Sequence, residues 1–210
     1  MIGHIDYINL LPFYMFMKRY HYYTTKKSYP AKINKMFEKK IVDCAFISSI
    51  KSSKKNCLDA GIVANKKVLS VLVCEGENKE DFESNTSNIL AKVLNLSGEV
   101  IIGDKALSKY YNESNNCQDL AKLWYEKYKL PFVFARFCIN KNYNTYSNLI
   151  DLFLKQKIYI PQYILKKYAK RANVSPKEIK EYLDLISYEL KWKEKKSLKK
   201  FLKLSKKLKT

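Results

Sequence analysis

The chain has 210 residues, 47% hydrophobic and 14% aromatic, enough for one large domain or two small lobes and too apolar for a disordered chain. Its 40 Lys and Arg against 20 Asp and Glu give a net charge of +20, with 18 basic and 6 acidic side chains in residues 151–210 alone. The excess is nearly all lysine, which argues against a specific nucleic-acid reader and for a field that attracts small anions.

In chain order, the apolar segment at 2–8, broken by His4 and Asp6, predicts a strand that stops at Asn9. Pro12 then opens a helix over 12–19. A helix over 31–39 precedes a strand at 42–46, which runs into Ser48 and Ser49. Strands at 58–64 and 68–74 follow, then a helix over 86–96 that opens from the polar cluster at 84–87. A strand at 100–102 leads through Gly103 and Asp104 into a helix over 105–111. A helix over 118–128 and a strand at 132–137 complete this alternating part, which predicts an α/β fold. From Tyr146 onward the apolar residues fall three and four apart, a helical pattern punctuated by Pro161 and by Ser175-Pro176. The final stretch, SLKKFLKLSKKL, sets Leu198, Phe201, Leu202 and Leu208 on one side and lysines on the other, as a docked surface helix would.

Small polar residues recur where strands hand over to helices: Asn9, Ser48 and Ser49, the cluster at 84–87, and Gly103-Asp104. In open α/β sheets, ligands bind outside the carboxyl ends of strands, where helix N-termini present free N–H groups and a positive dipole end. Each residue alone serves equally well as an ordinary N-cap, worth about 1 kcal/mol. The four together are consistent with a polar cleft for an anion. The five cysteines are scattered, odd in number and free of any CxxC pair, which predicts reduced thiols and no metal site. MIGHIDYIN has neither a basic start nor a long apolar run, so no signal peptide is expected, and no segment reaches the length of a membrane span.

The strings IGHIDYINLLP, LSVLV, TSNILAKVL, VIIGDKAL and DLAKLWYEKYKLPFVFARF, in that order between residues 2 and 137, resemble the chorismate dehydratase family of the futalosine route to menaquinone. The helical remainder resembles it only loosely. The resemblance implies an α/β, two-lobed fold like a type II periplasmic binding protein, with a helical C-terminal region. Residues 1–75 and 131–210 would form the larger lobe and residues 76–130 the smaller. It also implies a cytoplasmic hydro-lyase that removes water from chorismate to give 3-[(1-carboxyvinyl)oxy]benzoate, with no cofactor and no metal. The partner would be that small molecule, with no specific nucleic acid and no stable membrane association.

Carried over residue by residue, the resemblance puts Asn9 and Ser70 against the reacting ring as catalytic residues. It assigns Thr86 and Ser87 to one substrate carboxylate and Ser48 and Ser49 to the other. Asp104 either caps the helix that follows it or serves as an acid/base group in the cleft. His4, within the first strand, and His21, in a Tyr-rich loop, are not placed to act as a base. The substrate's own enolpyruvyl carboxylate is therefore the expected proton acceptor. Two departures stand out. LAKVLNLSGEVIIGD runs straight through where the family has a further strand and helix, so the second lobe is expected to be reduced; and Lys51 stands where the family often has Glu. A binding protein for an anionic metabolite is the alternative on the same fold.

Overall fold

Two sheets organise the chain in a computed structural model that describes residues 1–19, 23–113 and 116–208. The larger sheet runs, in spatial order, β2 (Thr25–Ser28), β1 (Ile2–Ile5), β3 (Cys44–Ser48), β8 (Phe132–Ile139), β4 (Cys57–Ala64) and β9 (Ile186–Glu189). Strands β2, β1 and β3 are parallel, whereas β8 is antiparallel to both its neighbours and β9 antiparallel to β4. The smaller sheet is antiparallel, with β5 (Val71–Cys74) between β6 (Glu99–Ile102) and β7 (Cys117–Asp119).

The chain leaves the large sheet over residues 65–70 and returns over 129–131. Residues 71–74, expected in the larger lobe, pair with β6 and β7 of the small sheet instead. The apolar run at 68–74 reads as one strand because composition cannot show its break. Leu69 sits in the left-handed region at φ 57°, which ends extended pairing there.

Ten helices cover the sheets among the described residues. They are α1 (Leu11–Met17), α2 (Pro30–Glu38), α3 (Ser49–Ser52), α4 (Asn85–Val93), α5 (Gly103–Asn112), α6 (Leu120–Tyr128), α7 (Tyr143–Lys155), α8 (Gln162–Ala172), α9 (Pro176–Asp184) and α10 (Trp192–Lys207). The helical C-terminal pattern holds except at Ile186–Glu189, which forms β9. Its short extended segment lies within a stretch whose apolar spacing mimics a helix.

One continuous core joins the two sheets. Phe13 of α1 meets Phe46 and Phe153 edge to face at 5.3 and 5.2 Å, anchoring α1 on the large sheet. Trp124 of α6 packs on Phe132 and Phe201, and its indole N–H donates to Ser197 Oγ at 2.9 Å. Helix α10 thereby rests on both the small lobe and the large sheet. Leu198 and Phe201 of its apolar side are buried as the spacing predicts, whereas Leu208 is exposed.

The cysteines depart from expectation. Cys57 bonds Cys138 across β4 and β8, and Cys74 bonds Cys117 across β5 and β7, leaving Cys44 as the free, buried thiol. Each pair faces across neighbouring strands, a proximity that sequence separations of 81 and 43 residues conceal. His21 lies outside the described residues.

Candidate functional site

The carboxyl end of β1 gives way to Tyr7 and a single 3-10 turn at Ile8–Leu10, and Pro12 then sits in the first turn of α1. Asn9 therefore stands on a tight turn between strand and helix. Its main-chain carbonyl accepts the Tyr188 hydroxyl at 2.5 Å, while its side-chain Oδ1 is buried with no hydrogen-bond partner. An unpaired buried amide oxygen is costly and uncommon, and this one is free to accept a hydrogen bond from a ligand.

That oxygen belongs to a residue lining the cavity between the lobes. The space measures about 530 Å³, part of it open to solvent, within the usual range for a small-molecule site. Its polar lining is Tyr7, Asn9, Ser48, Ser70, Ser84 and Ser87; Ile5, Ile62, Val71, Ile102 and Phe134 are among its apolar walls. None of the described lining residues carries a carboxylate or an ammonium group. Helices α2, α4 and α5 all begin at this cavity, through Pro30, Ser84 and Gly103, so their positive ends converge on it.

Ser70 is aimed by an unusual turn. Both Val68 and Leu69 donate their N–H groups to one oxygen of Asp119, at 2.8 and 2.7 Å. The other oxygen of Asp119 caps α6 through Ala121 and Lys122, at 2.9 and 3.0 Å. Burial pushes this carboxyl's pKa up, and the four amides oppose that push by solvating its charge. Leu69 is thus held left-handed, and Ser70 Oγ lies 2.8 Å from the hydroxyl of Tyr182.

On the opposing lobe, Ser84 caps α4 by accepting the Ser87 N–H at 3.3 Å, and their two hydroxyls lie 2.8 Å apart. Gly103 opens α5 at φ 72°, and a Cβ there would meet the Tyr7 ring at 2.7 Å, so glycine is required both by conformation and by contact. Across the mouth, Tyr7 donates to the Glu83 carboxylate, and Ala31 N–H donates to the Glu83 carbonyl at 3.0 Å.

Of the residues expected at the site, Asn9, Ser70, Ser48 and Ser87 share the cavity lining. Ser48 is already engaged: its hydroxyl accepts from Asn34 Nδ2 at 2.9 Å, and its N–H donates to Asn34 Oδ1. Ser49 and Thr86 are not part of that lining. Ser49 donates to the Val133 carbonyl at 2.6 Å, and Thr86 accepts the Ile50 N–H at 3.4 Å, so both tie the scaffold together.

Asp104 neither caps α5 nor lines the cavity. Its carboxylate accepts the Ile8 N–H at 3.1 Å and pairs with Arg171 at 2.5 Å. It thus fastens the turn that carries Asn9. Burial raises its pKa, and Arg171 and the Ile8 amide pull against that. Lys51 pairs with Glu38 at 3.4 Å. His4 is buried in β1, and desolvation holds its pKa down at about 4, so it is a neutral core residue at neutral pH. Ser84 falls in the polar cluster at 84–87 that marks the start of α4, whereas nothing in the sequence around Tyr7, Tyr182 and Tyr188 marks them. Among the described residues, no cluster of three or more His, Cys, Asp and Glu is arranged to hold a metal ion, and no helix is long and apolar enough to cross a membrane.

Known proteins share this fold. A crystal structure of a protein from Archaeoglobus fulgidus superposes with a TM-score of 0.72 at 13% identity, over 99% of this chain and 97% of that one. A Candida albicans protein described as having the generic periplasmic binding protein fold gives 0.57 at 13% identity, over 100% and 90%. The periplasmic aliphatic sulphonate binding protein of Escherichia coli gives 0.57 at 12%, over 99% and 86%. These likenesses establish the two-lobed binding-protein fold. By sequence, the chain is 47% identical to a chorismate dehydratase from Campylobacter jejuni subsp. jejuni serotype O:23/36 (strain 81-176), over 98% of this chain and 97% of that relative. A family model described as menaquinone biosynthesis matches residues 1–96 and 75–207. The chain belongs to the menaquinone biosynthesis family.

Proposed function

We propose that this protein is a chorismate dehydratase, a hydro-lyase that converts chorismate to 3-[(1-carboxyvinyl)oxy]benzoate on the futalosine route to menaquinone. The near full-length similarity to a protein of that name supports the reaction. One observation of the site carries it: the buried, unpartnered Oδ1 of Asn9, in a cavity lined by neutral hydroxyls and met by three helix starts. An acceptor in that position suits the ring hydroxyl of chorismate, which would donate its hydrogen to it. The helix starts suit the two carboxylates, which need fixed donors rather than a bound counter-ion.

Dehydration breaks one ring C–H bond and the neighbouring C–OH bond. The ring becomes aromatic and one water leaves. The lining offers no carboxylate or imidazole to take the carbon-bound proton. The substrate's enolpyruvyl carboxylate takes it instead, and the protein's part is to hold that carboxylate over the C–H bond. Asn9 orients the ring hydroxyl and Ser70 donates to its oxygen as the C–O bond breaks. The proton lent to the carboxylate is finally returned to the departing oxygen, so water is the only by-product. Ser87 and Ser84 would hold one carboxylate and Ser48 would stand near the other. No cofactor takes part. The family resemblance supports a cytoplasmic reaction, whereas two disulfides are more at home in an oxidising compartment.

The test is direct: purified protein is mixed with chorismate and the products followed by chromatography and mass spectrometry. A product lighter by one water, aromatic in absorbance and lost in Asn9→Ala, is the expected result. Unchanged chorismate together with ligand-induced stabilisation would make the protein a binding protein instead. Normal turnover of an amide analogue of the enolpyruvyl carboxylate would overturn the substrate-assisted step.

A further inference from the structure

The C-terminal region reaches both residues assigned to the chemistry. Tyr182 of α9 is 2% exposed and its hydroxyl lies 2.8 Å from Ser70 Oγ. Six residues on, Tyr188 of β9 donates its hydroxyl to the main-chain oxygen of Asn9. The segment carrying both tyrosines is itself fixed. Helix α9 begins with a capping box between Ser175 and Glu178, Leu185 accepts the Asn65 N–H at 3.2 Å, and β9 pairs with β4 through Val63–Ser187 and Ala64–Ile186. These pairs lie where the chain leaves β4 for the turn that carries Ser70.

The direction of the Ser70–Tyr182 hydrogen bond follows from chemistry. A phenol is a stronger donor and a poorer acceptor than an aliphatic alcohol. Tyr182 is buried among apolar side chains, which keeps its phenol protonated by raising its pKa. Tyr182 therefore donates and Ser70 Oγ accepts, and the serine's own hydrogen is left to point elsewhere. Ser70 lines the cavity, and its main-chain groups are already bound, N–H to the Val68 carbonyl and C=O to the Gly103 N–H. The remaining open direction for the hydroxyl hydrogen is the cleft. Tyr188 acts in parallel. A carbonyl can only accept, so Tyr188 holds the backbone of Asn9 and leaves its side-chain amide to the ligand.

We infer that Tyr182 and Tyr188 are a pair of positioning residues that turn the Ser70 hydroxyl and the Asn9 amide toward the substrate. The inference rests on the dehydratase reading, since it assigns Ser70 the role of donor to the departing oxygen. Neither tyrosine touches substrate. Their effect is on the orientation of the groups that do, and it therefore falls on kcat rather than on KM.

The test compares the full-length wild type, Tyr182→Phe, Ser70→Ala and the double variant, each assayed on chorismate. Tyr182→Phe is expected to lower kcat about five- to tenfold with KM nearly unchanged, the size of one buried hydrogen bond. In the Ser70→Ala background the same substitution is expected to cost less than about twofold, because the hydroxyl it orients is gone. A structural role alone would give the same loss in both backgrounds, and that result, or wild-type kcat in Tyr182→Phe, overturns the inference for Tyr182. Tyr188→Phe tests the second tyrosine and stands even where Tyr182→Phe folds poorly: a several-fold lower kcat with KM nearly unchanged is expected, and wild-type kcat, or a loss confined to KM, overturns the inference for Tyr188. A wild type that leaves chorismate unchanged overturns the dehydratase reading, and the inference falls with it.

Discussion

Tyr7 donates its phenolic hydrogen to the carboxylate of Glu83, joining the loop after β1 to the loop before α4 across the mouth of the cleft. The two residues stand 76 positions apart and belong to different lobes. Tyr29 and Phe82 meet edge to face on the same seam, and Lys105 lies 2.7 Å from Asp81 and 3.9 Å from Glu83. The seam therefore ties the two sides of the cleft together as a latch would, while the chain itself crosses between them only at 65–70 and 129–131 among the described residues. Burial and the Glu83 carboxylate both raise the Tyr7 pKa, so the donor stays protonated at any working pH.

Removing the latch should favour the open cleft. Hydrogen bonds to charged groups contribute about 1.5–3 kcal/mol, so Tyr7→Phe is expected to raise KM for chorismate about tenfold or more. Amide exchange over residues 81–87 should quicken at the same time. An unchanged KM with unchanged exchange would mean that the latch does not hold the lobes together.

Asp104 supports the Asn9 turn from outside the cavity. Asp104→Ala leaves the Ile8 N–H without its partner and Arg171 with Asp6 alone, at 3.4 Å. A loss of about 1–3 kcal/mol in stability is expected, with a fall in kcat as the turn loosens. Asp104→Asn keeps an acceptor for Ile8 and should retain most of the turnover. Urea unfolding and steady-state assays on the two variants separate the amide contact from the charge pair.

The serines should divide by what they touch. Ser49→Ala removes a bond to the Val133 carbonyl, costing about 1 kcal/mol of stability and leaving KM unchanged. Ser87→Ala alters a hydroxyl in the cavity lining and should raise KM several-fold with little effect on melting. The reverse pattern would move the carboxylate site to α3.

His4 gives the fold a pH dependence of definite sign. Its pKa falls from 6.5 to about 4 on folding, chiefly through burial and further through Lys27. Between these values the unfolded chain binds the proton and the folded chain does not, so stability is full above the unfolded value and declines on acidification. At pH 5 the loss amounts to about 2 kcal/mol. Urea midpoints between pH 7 and 5 should fall in the wild type and less steeply in His4→Gln.

Much of this molecule was legible because its signals are local. Asn9 stands in the turn between β1 and a helix opened by a proline, and Ser84 begins an amphipathic helix; such residues announce an element boundary, and boundaries are where this fold puts its cleft. Local signals fail where two roles share one residue type. Ser48 and Ser49 adjoin, yet the strand-to-helix corner sends one to the cavity and the other to the Val133 carbonyl. Asp104 reads as a helix-start carboxylate, and only the folded chain brings Ile8 and Arg171 to it. Strand β2, with three of its four residues exposed, has no apolar pattern to betray it, and its pairing with β1 is a property of the backbone. The cysteine pairs and the two tyrosines depend on contacts far apart in the chain, which spacing alone does not encode.

The bond from Tyr188 to Asn9 closes a loop of 179 residues, and it has a consequence for how the protein comes to be active. During synthesis the early strands emerge first, and domains generally begin to fold from that end. Asn9, Ser70 and the Asp119 clasp can all be in place while the supports for two of them are still unmade. The large sheet receives its edge strand, β9, only after every other strand of either sheet has emerged. Support for the reacting groups therefore waits on segments far along the chain, and the entropy of joining them slows that step. A nascent chain can hold a nearly complete cleft and still be inert, and turnover should switch on when the last stretch of polypeptide docks.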